Sequence, residues 1–139
     1  MDKEIKEEKV NFSNSNLMRL DVSKGENITE LYIQGNRLTE IDLSANKNMR
    51  ILDCTDNPLR FIKAAAPLGG TLTVEACKGG TVGLKYGPSE GQKYFAYEDE
   101  DYKFEGWYDI LGDRVSKEKV MDDAYGMSRE LFAMFVKNI

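Results

Sequence analysis

The sequence predicts a mainly β chain, with about three stacked coils of a short solenoid followed by a small antiparallel β domain. Three observations predict it. Apolar side chains recur at a fixed offset of 21 residues through the first half. The second half alternates apolar and polar residues between glycine-containing turns. No long helical periodicity separates the strand-like segments.

Shifting the chain by 21 brings the apolar positions into columns. Val10, Leu31 and Leu52 coincide, as do Phe12, Ile33 and Cys54. Leu17, Leu38 and Leu59 form a third column, Leu20, Ile41 and Ile62 a fourth, and Val22, Leu43 and Ala64 a fifth. Polar positions follow: Asp21 matches Asp42, Ser23 matches Ser44, and Asn36 matches Asn57, with Ser15 in the earlier slot. A fixed period of this kind marks a repeat architecture. Leu31 and Ile33 alternate with Tyr32 and Gln34, so one edge points inward and the other to solvent. A single coil has nothing to bury against, and its neighbours close the core. Each fully buried Leu or Ile then contributes roughly 1.5–3 kcal/mol. Asn36 and Asn57 are expected to turn the chain after the strand and to pair backbone groups that the loop leaves without partners.

The middle copy, Leu31-Tyr-Ile33-Gln-Gly-Asn36-Arg-Leu38, resembles the L-x-L-x-x-N-x-L core of a leucine-rich repeat. The segments Leu20-Asp21-Val22-Ser23, Ile41-Asp42-Leu43-Ser44 and Leu52-Asp53-Cys54-Thr55 resemble the bacterial cell-surface subclass of these repeats. That resemblance implies a second short strand on the convex side of each coil. The solenoid is expected over residues 10–66, with residues 1–9 as an N-terminal tail or cap. A tail is favoured, because Ile5 is the only apolar residue in 2–9.

The repeat stops at Ala64-Ala65-Ala66-Pro67-Leu68-Gly69-Gly70, which reads as a linker. Strands are then expected at Leu72–Ala76, after the turn Gly79-Gly80-Thr81-Val82, at Tyr94–Tyr97, at Tyr102–Tyr108 and at Leu131–Val136. The aromatics of the Tyr102–Tyr108 strand are expected to supply the core. Lys117–Arg129 is charged and helix-prone. Gly79-Gly80-Thr81-Val82, Tyr102-Lys-Phe104-Glu-Gly106-Trp107, Gly112-Asp-Arg-Val115-Ser116 and Leu131-Phe-Ala133-Met-Phe135 together resemble a divergent internalin-type B-repeat (Listeria-Bacteroides-type repeat) over 71–137. Asp101 stands where that family usually has glycine. The resemblance implies a β-grasp-like topology and a secreted or surface-displayed bacterial protein. The exposed apolar end of the solenoid needs cover, so the second unit is expected to pack there as a cap.

Composition excludes several classes. The chain has no histidine, which removes His-dependent triads and metal sites, and it has two cysteines, too few for a four-thiolate zinc site. The net charge of −5 disfavours nucleic acid as a partner. No apolar run approaches the roughly 20 residues needed to span a bilayer. No nucleophile–base pair, phosphate loop or metal cluster is recognisable, so neither catalysis nor a cofactor is expected.

The natural binding surface is the strand side of the solenoid: Asn11, Ser13, Tyr32, Gln34, Asp53 and Thr55. Tyr32 is the best anchor, because binding energy concentrates on aromatic residues. The bland alternative for these six positions is ordinary solvated surface. Asp21 and Asp42 read as calcium ligands or, more simply, as turn caps. Glu98-Asp-Glu-Asp101 reads as a cation site or a solvated loop. Trp107 reads as a sugar-stacking residue or a core residue, the latter favoured. Cys54 reads as an inert core thiol, with a disulfide to Cys77 as the alternative. The expected function is that of a monomeric, non-enzymatic extracellular or cell-surface module recognising a protein ligand. A passive spacer and a carbohydrate-binding accessory fragment are the alternatives.

Overall fold

The computed structural model describes residues 7–65, 71–88, 91–123 and 130–138. Most of the expected tail, and the centre of the expected linker, lie outside the described residues. The chain is mainly β, and the described residues form twelve strands: β1 (Lys9–Asn11), β2 (Glu30–Tyr32), β3 (Glu40–Leu43), β4 (Ile51–Asp53), β5 (Phe61–Ala65), β6 (Thr71–Ala76), β7 (Gly80–Gly87), β8 (Gly91–Glu98), β9 (Tyr102–Tyr108), β10 (Arg114–Ser116), β11 (Val120–Asp123) and β12 (Glu130–Lys137). Among the described residues there is no helix, and so none long and apolar enough to cross a membrane.

The strands form two six-stranded sheets, ordered β1-β2-β4-β7-β8-β11 and β10-β9-β12-β6-β5-β3. In the first sheet, β1, β2 and β4 run parallel, with Val10 opposite Leu31 and Leu31 opposite Leu52. In the second, β3 and β5 run parallel with Ile41 opposite Ile62. The 21-residue offset read from the sequence is therefore the pairing register of both sheets. Leu31, Ile33, Leu38, Leu52, Cys54 and Leu59 are fully buried, so the columns fill the space between the sheets.

The asparagine column does the expected backbone work. Asn36 Oδ1 accepts from the Ser15 and Leu17 amides, and its Nδ2 donates to the Phe12 and Ile33 carbonyls. Asn57 repeats this one unit later, accepting from the Leu38 amide and donating to the Ile33 carbonyl. Asn46 adds a second column, donating to the Val22 and Gly25 carbonyls.

Both sheets continue across the join between the two halves. β7 adds antiparallel to β4, and β6 adds antiparallel to β5. Leu52 lies opposite Tyr86, Ile62 opposite Val74, and Leu59 bridges Val82. The last repeat unit is thus covered by paired backbone as well as by side chains. One apolar core runs from Val10 to Phe135.

Three expectations are corrected. The second half is not a purely antiparallel sheet. Its strands are shared between both sheets, and β12 pairs with β6 in parallel. The helix-prone start of Lys117–Arg129 holds β11, which pairs with β8 and buries Met121. Tertiary pairing overrides local propensity there; residues 124–129 lie outside the described residues. Tyr108 does not join the core with Phe104 and Trp107. An irregularity in the β9–β12 register places Trp107 opposite Ala133 on the inward side and Tyr108 opposite Phe132 on the outward side.

The Gly79-Gly80 pair has a steric reason. A Cβ on Gly79 would meet the Tyr102 ring, and one on Gly80 would collide with the Phe135 ring. Asp101 has a φ of 70°, the left-handed conformation that glycine adopts freely and Asp tolerates.

Candidate functional site

The outward side of the first sheet is a register row with one residue from each strand. Asn11, Tyr32 and Asp53 lie side by side on β1, β2 and β4. The row continues through Lys85, Lys93 and Asp122 on β7, β8 and β11. Lys93 Nζ approaches Asp122 Oδ1 at 3.9 Å. Parity along each strand puts these side chains outward, because their neighbours Leu31, Leu52, Leu84 and Tyr94 are buried.

Four of the six predicted residues satisfy one another locally. Asn11 Oδ1 accepts from the Ser13 amide at 2.9 Å and from its hydroxyl at 2.6 Å. Asp53 Oδ1 accepts from the Thr55 amide at 3.0 Å and from its hydroxyl at 2.6 Å. These are side-chain turns that end β1 and β4. The middle unit departs from that pattern. Tyr32 takes the place of Asn or Asp, and its hydroxyl donates to Glu30 Oε1 at 2.9 Å. That contact raises the Tyr32 phenol above its ordinary range. Gln34 follows Tyr32, and its Oε1 is buried without a hydrogen-bond partner.

Tyr32, Gln34 and Asp53 line a groove of about 330 Å³ with Lys85, Tyr86 and Pro88 of the second half. The structure brings Tyr32, Gln34 and Asp53 to one groove; Asn11 and Ser13 lie beside it on β1. Lys85 and Tyr86 were not singled out from the sequence. The alternation through Thr81–Tyr86 places Lys85 outward, but the pairing of β4 with β7 that brings it beside Asp53 leaves no mark on the sequence.

Farther along the same face, the rings of Phe95 and Tyr97 stack at 6.4 Å with planes 10° apart. Tyr97 reaches back across β7, where its hydroxyl accepts from the Asp56 amide at 3.4 Å. Gly83 makes room, since a Cβ there would press on both Tyr97 Oη and the Thr55 backbone.

The remaining candidates fall as follows. Asp21 and Asp42 cap turns. Asp21 Oδ1 accepts from the Ser23 amide, and Asp42 Oδ1 from the Ser44 amide and hydroxyl. The side chains of Ser23 and Ser44, and then their amides, hold the two carboxyls below their ordinary range. In the acidic turn, Glu98 accepts from Lys119 Nζ at 2.8 Å and from the Phe104 amide at 2.7 Å, while Asp99 lies 3.6 Å from Arg60. Among the described residues, no group of three or more acidic or thiol side chains is placed to hold a metal ion. Trp107 is fully buried, with Phe104 at 5.7 Å and Tyr94 at 6.0 Å, and its Nε1 donates to the Glu118 carbonyl. It is not a surface platform for sugars.

No protein-family model, curated protein or solved structure matches this chain.

Both cysteines are free thiols, with Cys54 buried and Cys77 half-buried. Burial pushes the Cys54 thiol up to about 12 from 9.0 and the Tyr97 phenol up to about 12 from 10.0. Unfolding releases both to ionise at their ordinary values, so above pH 9 the unfolded state binds fewer protons. Stability is expected to hold below that pH and to fall as pH rises from 9.0 toward about 12. Urea midpoints across this window check the sign. In native protein an alkylating reagent is expected to modify Cys77 first and Cys54 only on unfolding. Equal rates would contradict the burial of Cys54.

Proposed function

We propose that the chain is a non-enzymatic protein-interaction or adhesion module, secreted or displayed at a bacterial cell surface and acting as a monomer. In this reading residues 10–66 are a short leucine-rich-repeat solenoid, and residues 71–137 are a divergent internalin-type B-repeat of β-grasp type that closes it. Support for the repeat class comes from the 21-residue register and from the Asn36 and Asn57 hydrogen bonds to the preceding unit.

The observation that carries the functional reading is the outward row of the first sheet. Asn11, Tyr32 and Asp53 continue in register into Lys85 and Lys93, so six strands present one broad polar face instead of the narrow one that three coils would give. Tyr32 and Gln34 both line its groove. A protein ligand seated there packs against Tyr32 and meets Asp53 and Lys85 at the groove's edge. An aromatic at the centre of such a contact typically contributes ~2 kcal/mol or more, about thirty-fold in affinity.

The test is a pull-down from host extracellular and bacterial surface proteins with the full chain and with Tyr32→Ala. A partner retained by the full chain and lost with Tyr32→Ala supports the reading. Retention unchanged by Tyr32→Ala, or no partner at all, favours a passive spacer.

A further inference from the structure

The outward side of the second sheet carries a different pattern. Glu40, Phe61, Glu75, Phe132, Tyr108 and Arg114 are successive register partners, one on each of its six strands. The three aromatics are half-buried, and none belongs to the ring cluster of Phe104, Trp107 and Phe135 in the core. Adjacent strands lie about 4.8 Å apart, so the row extends about 24 Å, and Phe61 and Phe132 are about 10 Å apart. At its β3 end the row opens into a groove of about 520 Å³ lined by Glu40 and Phe61 together with Arg19, Asp21 and Asp42.

We propose that this row binds a linear, uncharged polysaccharide. Sugar rings present apolar C–H faces and hydroxyl edges in alternation. The row offers the matching alternation, with aromatic surface at Phe61, Phe132 and Tyr108, carboxylate acceptors at Glu40 and Glu75, and a guanidinium donor at Arg114. Charge selects among occupants. Asp42 and Glu130 flank the row; Lys63, opposite Asp42, offsets part of their charge, but with Glu40 and Glu75 the acids still outnumber Lys63 and Arg114, and an anionic polymer is repelled. A hydroxyl-rich neutral chain donates hydrogen bonds to those same acids. A protein ligand with a largely apolar surface would leave Glu40 and Glu75 desolvated without partners. The spacing between Phe61 and Phe132 is comparable with the length of a disaccharide. The inference does not rest on the protein-binding reading, which concerns the opposite sheet.

Native gel electrophoresis through hydroxyethyl cellulose, xylan or glucomannan, with polygalacturonate as the anionic control, tests it. Retardation is expected in at least one neutral gel and not in polygalacturonate. Phe132→Ala and Tyr108→Ala are each expected to weaken binding about ten-fold, the loss of one stacking contact of ~1.4 kcal/mol. Glu75→Gln is expected to weaken it a few-fold, and Tyr32→Ala on the other sheet to leave it unchanged. Circular dichroism checks that each variant is folded. Glu75→Gln, which removes charge without opening a cavity, decides the matter if the truncations unfold the chain. Absence of retardation in every neutral gel overturns the proposal, as does equal retardation of all variants. A dimer in sedimentation that Phe132→Ala dissociates also overturns it, by making a second copy the occupant.

Discussion

Asn36→Leu is expected to cost ~3 kcal/mol or more, a large share of the stability of an ordinary domain. Leucine keeps the volume but removes every hydrogen bond of the side-chain amide. The Ser15 and Leu17 amides and the Phe12 carbonyl lose this partner at a site only 6% exposed, while the Ile33 carbonyl keeps the Asn57 side-chain amide. Each buried polar group left unpaired costs ~1–3 kcal/mol, against a total stability of ~5–15 kcal/mol for an ordinary domain. Asn48→Ala is the control. Its Nδ2 donates to the Glu26 carbonyl at 2.9 Å, but in an exposed setting where water replaces it. Urea titrations of both variants check the contrast. Equal losses would mean that the asparagine column is ornamental, and that apolar burial alone holds the units in register.

Trp107→Ala is the second large effect, at ~3–5 kcal/mol for the missing ring. The indole touches both Tyr94 of β8 and Phe104 of β9, so its loss opens a cavity between the two sheets. It also leaves the Glu118 carbonyl without its indole donor. Trp107→Phe separates these contributions, because it keeps most of the packing and forfeits only the hydrogen bond, at ~1–3 kcal/mol. Since one core serves both halves, circular dichroism and tyrosine fluorescence are expected to report a single coincident transition for each variant. Two separated transitions would show that the halves unfold independently and that pairing of β4 with β7 contributes little.

The sequence shows the register of the first half plainly, because a fixed offset is also the distance in chain between stacked neighbours. Val10, Leu31 and Leu52 are legible as partners without coordinates, and the outward parity of Tyr32 and Asp53 follows. Other features are illegible for physical reasons. Nothing in Leu52 or Tyr86 says that they will face one another, since antiparallel pairing between distant strands leaves no periodic trace. Strand direction is equally silent, so the parallel pairing of β6 with β12 is not legible in the sequence. Tyr108 departs from the expectation that the aromatics of its strand all supply the core, because adjacent residues of a strand cannot both face inward. The irregular register around Glu105 and Gly106 shifts the parity by one, and Trp107 takes the inward place instead. That single shift also turns Tyr108 toward Phe132, and with it creates the aromatic row that simple alternation conceals.

The parallel pairing at one end of both sheets and the antiparallel pairing at the other have a consequence for growth. A whole 21-residue unit inserted before Ile51 would meet the same parallel neighbours on either side and leave β6 and β7 unaltered. Each insertion would lengthen the molecule by one strand spacing, about 4.8 Å, and add one rung to each outward face. The closing half thus works as a fixed terminus on a ruler whose length gene duplication can adjust in steps without redesigning either end.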